Sequence, residues 1–463
     1  MALKFASVIF LLYLCTAFYV RMREIDRQIV RLAVPSILAN ITIPLVGLVD
    51  TAIVGHISNA AAIGGVAIGT MLFDLLYWNF GFLRIGTSGL AAQAFGRGDR
   101  NECRRVLMQS LSISAVAALL IWLIQWLFVT LVLAVVPCSP GVAEVARRYF
   151  FIRIWAAPAT LSLMAIKGWL IGMQDTRSAM VVDILVNVVN MAASYLLAVN
   201  VGLGVPGVAW GTFIAQYSGL LAALIILILR YRLQFRDFRL VQDCRWSEFF
   251  RLNGNLFIRS LCFMVVYVGY TMLASRYGDT ELAVSSILMK LFMFFSYFVD
   301  GFAYAGEALV GRFIGEQSVH SADLDEQSRI PKCVRSLFAW SIGVGLFFTL
   351  VYALWGRGCF DLMTNDAEVH EAAMHYIGWL IAMPIVSTLA FMWDGIYVGA
   401  TAGPQIRNSM LWAAAAFVIC YLVTYRFAGT QALYLAYFAH LFVRVIYLSI
   451  EWKSTYELSQ VRQ

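Results

Sequence analysis

Charge is what this chain has least of. Of 463 residues, 13% are Asp, Glu, Lys or Arg, where a soluble globular domain carries about a quarter. With 61% hydrophobic residues, the chain must be mostly membrane-embedded. The net charge of +7 is then assigned to basic loops beside a bilayer, and no nucleic-acid partner is expected. Histidine is also scarce: there are 5, scattered, with no H-E-x-x-H motif. No nucleophile elbow occurs either. The sequence therefore gives no support to hydrolytic or metal-based catalysis, and we read the chain as neither an enzyme nor the holder of a metal or cofactor. The 8 cysteines include no C-x-x-C pair. Several lie in apolar runs (Cys15, Cys262, Cys420) and read as free, small hydrophobes. Aromatic residues, 14% of the chain, read mostly as packing and interface belts.

What the chain has is long apolar runs. Twelve of spanning length follow Arg27: 29–57, 61–84, 105–134, 146–172, 178–200, 206–230, 249–275, 281–311, 333–356, 368–400, 408–426 and 430–451. The fold class is an all-α membrane protein of twelve transmembrane helices. Basic residues crowd alternate links. Arg97, Arg100, Arg104 and Arg105 lie between runs two and three. Arg230, Arg232, Arg236, Arg239 and Arg245 fill the link between six and seven. Arg329, Lys332 and Arg335 lie between eight and nine. The intervening links are nearly free of Lys and Arg, with Arg147, Arg148 and Arg357 as strays. The positive-inside rule places both ends of the bundle in the cytoplasm, in a cytoplasmic (inner) membrane. Residues 1–27 form an N-terminal hydrophobic and basic segment. Phe5 to Val20 would rise only about 24 Å as a helix, too short to span. Three readings stand for it: a signal peptide without a small-residue cleavage site, an extra or interfacial helix, or a start-site artefact ahead of Met22.

The link 231–248 divides the chain into lobes of six runs, 28–230 and 249–452, followed by a tail, 453–463. The lobes repeat. Gly168-Trp169-Leu170-Ile171-Gly172 returns 227 residues later as Gly395-Ile396-Tyr397-Val398-Gly399. Ala92-Gln93-Ala94-Phe95-Gly96 has a counterpart in Gly311-Arg312-Phe313-Ile314-Gly315. An even number of spans per lobe keeps both repeats in one orientation, about an axis along the membrane normal. That is the plan of transporters whose site lies between two halves.

Charged residues inside the runs are the functional candidates, because an acid facing lipid costs about 2.5–3.5 kcal/mol. Asp300 and Glu307 stand two helical turns apart on one face of the eighth run. Asp300 is read as functional. Glu307 stays open between a functional acid and a helix end reaching the aqueous boundary beside Arg312. Asp50 lies deep in the first run, above Pro44, whose missing N–H frees the carbonyl of Asn40 and lets the helix bend. Pro35 lies further down. Desolvation favours the protonated carboxyl, which suits a proton- or ion-gated helix. In the fifth run Asp183, Asn187, Asn190 and Ser194 form one polar stripe. Helix–helix hydrogen bonding explains the two asparagines equally well. Asp394 precedes the repeated Gly395 and is placed with Asp300 in the second lobe's interior. Arg259, Lys290 and Lys167 are embedded bases that would pair with these acids. Asp74 is left lining a water-accessible surface.

These blocks resemble the multidrug and toxic compound extrusion (MATE) family, in its DinF-like branch. The resemblance rests on 47–52, 86–96, 300–311 and 394–401, and covers nearly everything from Arg27 to Trp452. It implies a two-lobed, twelve-helix antiporter, here expected as a monomer. Its substrates would be small organic, often cationic or amphiphilic compounds, exported against protons or sodium. In relatives of the branch an aspartate of the first helix is the protonatable group, and it matches Asp50. Protonation there bends the helix and expels substrate, which Pro35, Pro44 and Asn40 fit. Many relatives carry an asparagine and then an aspartate in the fifth helix. Asn190 matches, but Ser194 stands at the aspartate position, which favours protons over sodium as coupling ion. Asp183 is the carboxylate that would compensate. Asp394 matches the acid of the tenth helix in the family's second cation site. A flippase of lipid-linked sugars, or a sodium-coupled exporter, is the alternative.

Overall fold

The computed structural model describes residues 23–57, 60–136, 138–234, 237, 246–319, 329–364 and 366–461. The N-terminal segment called above and most of the link 231–248 lie outside them. Among the described residues, twelve helices are long and apolar enough to cross a membrane: α1 (Glu24–Gly55), α2 (Ala62–Gly96), α3 (Arg100–Val135), α4 (Pro140–Gly172), α5 (Thr176–Asn200), α6 (Val205–Tyr231), α7 (Trp246–Tyr277), α8 (Asp279–Val319), α9 (Arg329–Met363), α10 (Ile377–Gly399), α11 (Gly403–Ala428) and α12 (Gln431–Glu457). Helix is the form that an open chain can take in hydrocarbon, because it satisfies every backbone N–H and C=O within the segment. The termini are capped at the aqueous ends. Asp99 accepts from Glu102 N at the start of α3, and Asp175 from Ser178 N at the start of α5. Gly98 takes φ +71° in the tight turn from α2 to α3.

Several helices run a turn or two past the expected spans, and two boundaries differ most. α2 was expected to stop at 84. It pauses between Trp78 and Phe82 and resumes as a second helical piece, Phe82–Gly96. Ala and Gly between positions 86 and 96 lower mean hydropathy without breaking the helix, so Arg84 belongs to the membrane interior. The tenth run, expected from 368, splits into a two-turn helix Ala367–Met374 and α10. α1 runs unbroken through Pro35 and Pro44.

The lobes α1–α6 and α7–α12 each have an aromatic-rich core. Phe73, Tyr149 and Phe150 pack in the first, and Tyr270, Phe292, Phe295 and Tyr434 in the second. A third cluster joins Ile29, Leu32 and Ala33 of α1 to Phe302, Ala305 and Leu309 of α8. The lobes thus meet near the end that carries the basic links. There the repeat becomes visible as geometry. A β-carbon on Gly96 of α2 would lie 2.0 Å from the carbonyl oxygen of Arg312, and one on Gly315 of α8 would lie 2.2 Å from that of Gln93. Gly96 and Gly315, like Gln93 and Arg312, are 219 residues apart. Each lobe therefore offers the other the same glycine and the same carbonyl, the signature of a two-fold contact. Within the lobes, Gly168 of α4 sits on the backbone of Arg84, and its repeat Gly395 of α10 sits on Ala303.

Candidate functional site

Among the described residues, three groups of charged side chains stand out inside the bundle. The first is in the N-terminal lobe. Asp50 of α1 is half-buried, and its Oδ1 is buried without a hydrogen-bond partner. The polar groups acting on it are the Arg153 guanidinium of α4 and the Ser194 hydroxyl of α5. Arg153 itself donates to Tyr149 Oη at 2.9 Å and lies 4.5 Å from the centre of the Phe73 ring. No ion pair within 4 Å holds Asp50 among the described residues.

The α5 stripe does not converge on Asp50. Its ends are about 16 Å apart along the helix, so each residue meets a different neighbour. Asp183 pairs with Lys167 of α4 at 2.5 Å. Asn187 donates to Thr42 Oγ1 of α1. Asn190 donates to Thr212 Oγ1 of α6 at 3.0 Å. Ser194, fully buried, reaches Val208 O at 3.5 Å. Asp183 is therefore taken up by Lys167, well along α5 from the Ser194 position that it was expected to compensate. Asn40 is buried, and its Nδ2 donates to Tyr297 O of α8 at 3.4 Å, tying the hinge region of α1 to the other lobe.

The second group bridges the lobes. Glu307, 3% exposed, receives Arg84 of α2 through Nη1 to Oε2 at 3.1 Å and Nη2 to Oε1 at 3.3 Å. Ser88 Oγ donates to Oε2 at 2.5 Å. The Arg84 guanidinium also lies 4.4 Å from the centre of the Tyr304 ring. Glu307 is no helix-end acid beside Arg312. Arg312 pairs instead with Glu316 at 2.5 Å, and its Nη1 donates to Gln174 at 3.2 Å. A helical step of five residues turns the two side chains to different faces. Asp300, two turns before Glu307, is half-buried in the combined field of Arg84, Glu307, Asp394 and Arg259.

The third group is in the C-terminal lobe. Asp394 of α10 accepts from Arg259 of α7 at 2.7 Å and from Arg444 of α12, both on Oδ2. The structure does not bring Lys290 here: it is exposed on α8, because ten residues turn it off the face that carries Asp300. Asp74 is exposed too, but lies near Tyr267 of α7 and Tyr297 of α8, between the lobes.

Sequence reasoning missed Arg84, Arg153 and Arg444. Each is a single base inside an apolar stretch: Phe82-Leu83-Arg84-Ile85, Phe151-Ile152-Arg153-Ile154 and Phe442-Val443-Arg444-Val445. That pattern was the available signal, since a lone arginine in a spanning helix needs an internal partner.

Charges buried inside a two-lobed bundle of membrane-length helices ask for a function, and comparison with known proteins supplies the family. The family model described as MatE matches residues 35–196 and 256–426, one stretch in each lobe. The chain belongs to the MatE family. MATE proteins being transporters, it is a multi-pass membrane protein for efflux of small molecules and not an enzyme. It is 34% identical over 451 residues to the DNA damage-inducible protein F of Escherichia coli, covering 96% of this chain and 95% of that protein. It is 21% identical over 377 residues to a probable multidrug resistance protein NorM of Bacillus cereus, covering 79% and 80%. Among solved structures, a MATE protein in complex with MaL6 superposes with a TM-score of 0.83 at 16% identity, covering 95% of this chain and 98% of that one. An outward-facing multidrug resistance MATE transporter superposes with a TM-score of 0.81 at 16% identity, covering 95% and 97%. At that identity the likeness establishes the fold alone.

Proposed function

We propose that this MATE protein exports small organic compounds in exchange for protons, with Asp50 as the proton carrier. The observation that carries this reading is the contrast among the interior acids. Asp183 is held by Lys167, Glu307 by Arg84, and Asp394 by Arg259 and Arg444. A carboxylate in a close ion pair resists protonation. Among the described residues Asp50 and Asp300 have no such pair; Asp50 also keeps one oxygen without a hydrogen-bond partner and stands above the Pro44 hinge, which is why the proton is assigned to it.

Protonation would change its dealings with Arg153 and Ser194, and α1 would respond around Pro44. Proline removes the hydrogen bond to the carbonyl of Asn40, so bending there costs less than elsewhere in the helix. Sodium coupling at Asp394 is disfavoured, because two guanidinium groups already occupy its one bonded oxygen. The basic links face the cytoplasm of an inner membrane, and the transporting unit is the monomer.

The test is efflux of a panel of fluorescent cations from everted vesicles under an imposed proton or sodium gradient. A proton gradient alone should drive transport, and Asp50→Asn should abolish it. Undiminished, pH-dependent export by Asp50→Asn would sink the assignment. Transport driven by sodium alone would move coupling to the lobe of Asp300 and Asp394. Failure of both gradients would favour lipid-linked substrates.

A further inference from the structure

The charge count of the third group is unbalanced. Arg259 and Arg444 both bond Oδ2 of Asp394, so two guanidinium cations share one carboxylate. Arg444 is 1% exposed, and its Nε and Nη1 are buried without hydrogen-bond partners. His440, one turn earlier on α12 and equally buried, leaves Nδ1 unpartnered. Asp300 is the next carboxylate, but no ion pair within 4 Å joins it to either arginine among the described residues. A surplus positive charge inside a membrane protein is costly unless something neutralises it. The two arginines also differ in access. The Arg259 side chain keeps 19% exposure, whereas Arg444 lies behind the carboxylate. Asp394 takes Nη2 of Arg259, and the rest of that planar donor fork is not used by it.

We propose that Arg259, backed by Arg444 and held by Asp394, is a binding site for an anionic group, a carboxylate or comparable oxyanion. The anion lies on the free edge of the Arg259 fork. Arg444 contributes field from behind, and the bound anion balances the triad. A carboxylate matches that fork in a bidentate pair, which a spherical cation cannot. The transport role of the site rests on the exporter reading. It extends the exported class to compounds bearing an acid group, alone or beside a cationic one. Binding itself does not depend on that reading.

The test uses full-length protein in nanodiscs. Salicylate and inorganic sulfate are the anionic probes, and tetraphenylphosphonium is the cationic control. Salicylate should bind, and Arg259→Gln should weaken it by about tenfold or more while tetraphenylphosphonium binding is kept. The substitution leaves Asp394 and Arg444 as a neutral pair, so the fold should survive it. Should it not, Arg259→Lys is read instead: it keeps the charge and loses the fork, and weaker salicylate binding is expected. Sulfate binding with the same dependence on Arg259 would make inorganic oxyanions ligands of the same site. Failure of both anions to bind wild-type protein, or binding indifferent to Arg259, overturns the proposal. If tetraphenylphosphonium is not exported but salicylate still binds through Arg259, the exporter reading falls and the anion site stands.

Discussion

The two lobes are built to one plan and charged to opposite ends. Position 167 in α4 and position 394 in α10 correspond in the repeat, since each immediately precedes the Gly-x-x-x-Gly block. The first is lysine and the second aspartate. Lys167 finds one acid, Asp183, and the pair stays partly exposed. Asp394 finds two arginines, one of them almost fully buried. The N-terminal lobe is left with a carboxylate free of ion pairs, Asp50. The C-terminal lobe keeps Asp300, also without an ion pair among the described residues, and sets two guanidinium groups on the one carboxylate of Asp394. Duplication of a scaffold thus conserves backbone contacts, which glycine dictates, while the chemistry at equivalent points diverges freely. One lobe places an acid without an ion pair above a proline; the other ties an acid down with two arginines.

Removing charge should break this comparison most sharply in the C-terminal lobe. Asp394→Ala abandons two guanidinium groups in the interior and should cost about 3–5 kcal/mol. Lys167→Ala, with a partly hydrated partner, should cost under about 2 kcal/mol. Thermal unfolding of the two purified variants in one detergent measures the difference. Equal losses would mean that the lobes are electrostatically equivalent.

Between the lobes, Glu307→Gln deprives Arg84 of its buried counter-ion. It should cost about 2–3 kcal/mol. The double variant Arg84→Gln with Glu307→Gln should recover about 1–3 kcal/mol of the summed single losses, as a double-mutant cycle would show. Strict additivity would show that this bridge couples nothing. At the glycine contact, Gly96→Ala and Gly315→Ala each drive a methyl group into a helix carbonyl. Each should cost about 1–3 kcal/mol, and the two should agree closely because they are symmetry mates. Unequal losses would break the two-fold description. The smallest effect is expected at Lys290, where an alanine should stay within about 0.5 kcal/mol of wild type and leave efflux unchanged.

The number of spans and the two-lobed repeat were legible because hydropathy and chain direction are properties of whole segments. Asp50, Asp300 and Asp394 were legible because an acid in an apolar run stands out. The partners were not. Arg84 fell where low mean hydropathy suggested the end of a run, and it was passed over. The α5 stripe shared one face in projection, but which helix each residue meets depends on packing that periodicity does not encode. Lys290 looked like an interior base because its neighbours are apolar, whereas the face it occupies is settled only when α8 is docked.

The reciprocal contact of Gly96 and Gly315 also bears on reversibility. The carbonyls of Arg312 and Gln93 lie within helices, where each already has its own N–H partner, so the glycine contact itself adds no hydrogen bond; the interlobe hydrogen bonds beside it are made by the side chains, Gln93 Nε2 to Gly399 O at 3.0 Å and Arg312 Nη1 to Gln174 at 3.2 Å. What the glycine contact supplies is dispersion and weak Cα–H···O attraction, about 0.5–1 kcal/mol per contact. A machine that cycles needs a joint that closes without adhesive. Bare backbone against bare backbone is such a joint, and it leaves the hold between the lobes to side chains: the Arg84–Glu307 pair, Gln93 on Gly399 O, Arg312 on Gln174 and Asn40 on Tyr297 O.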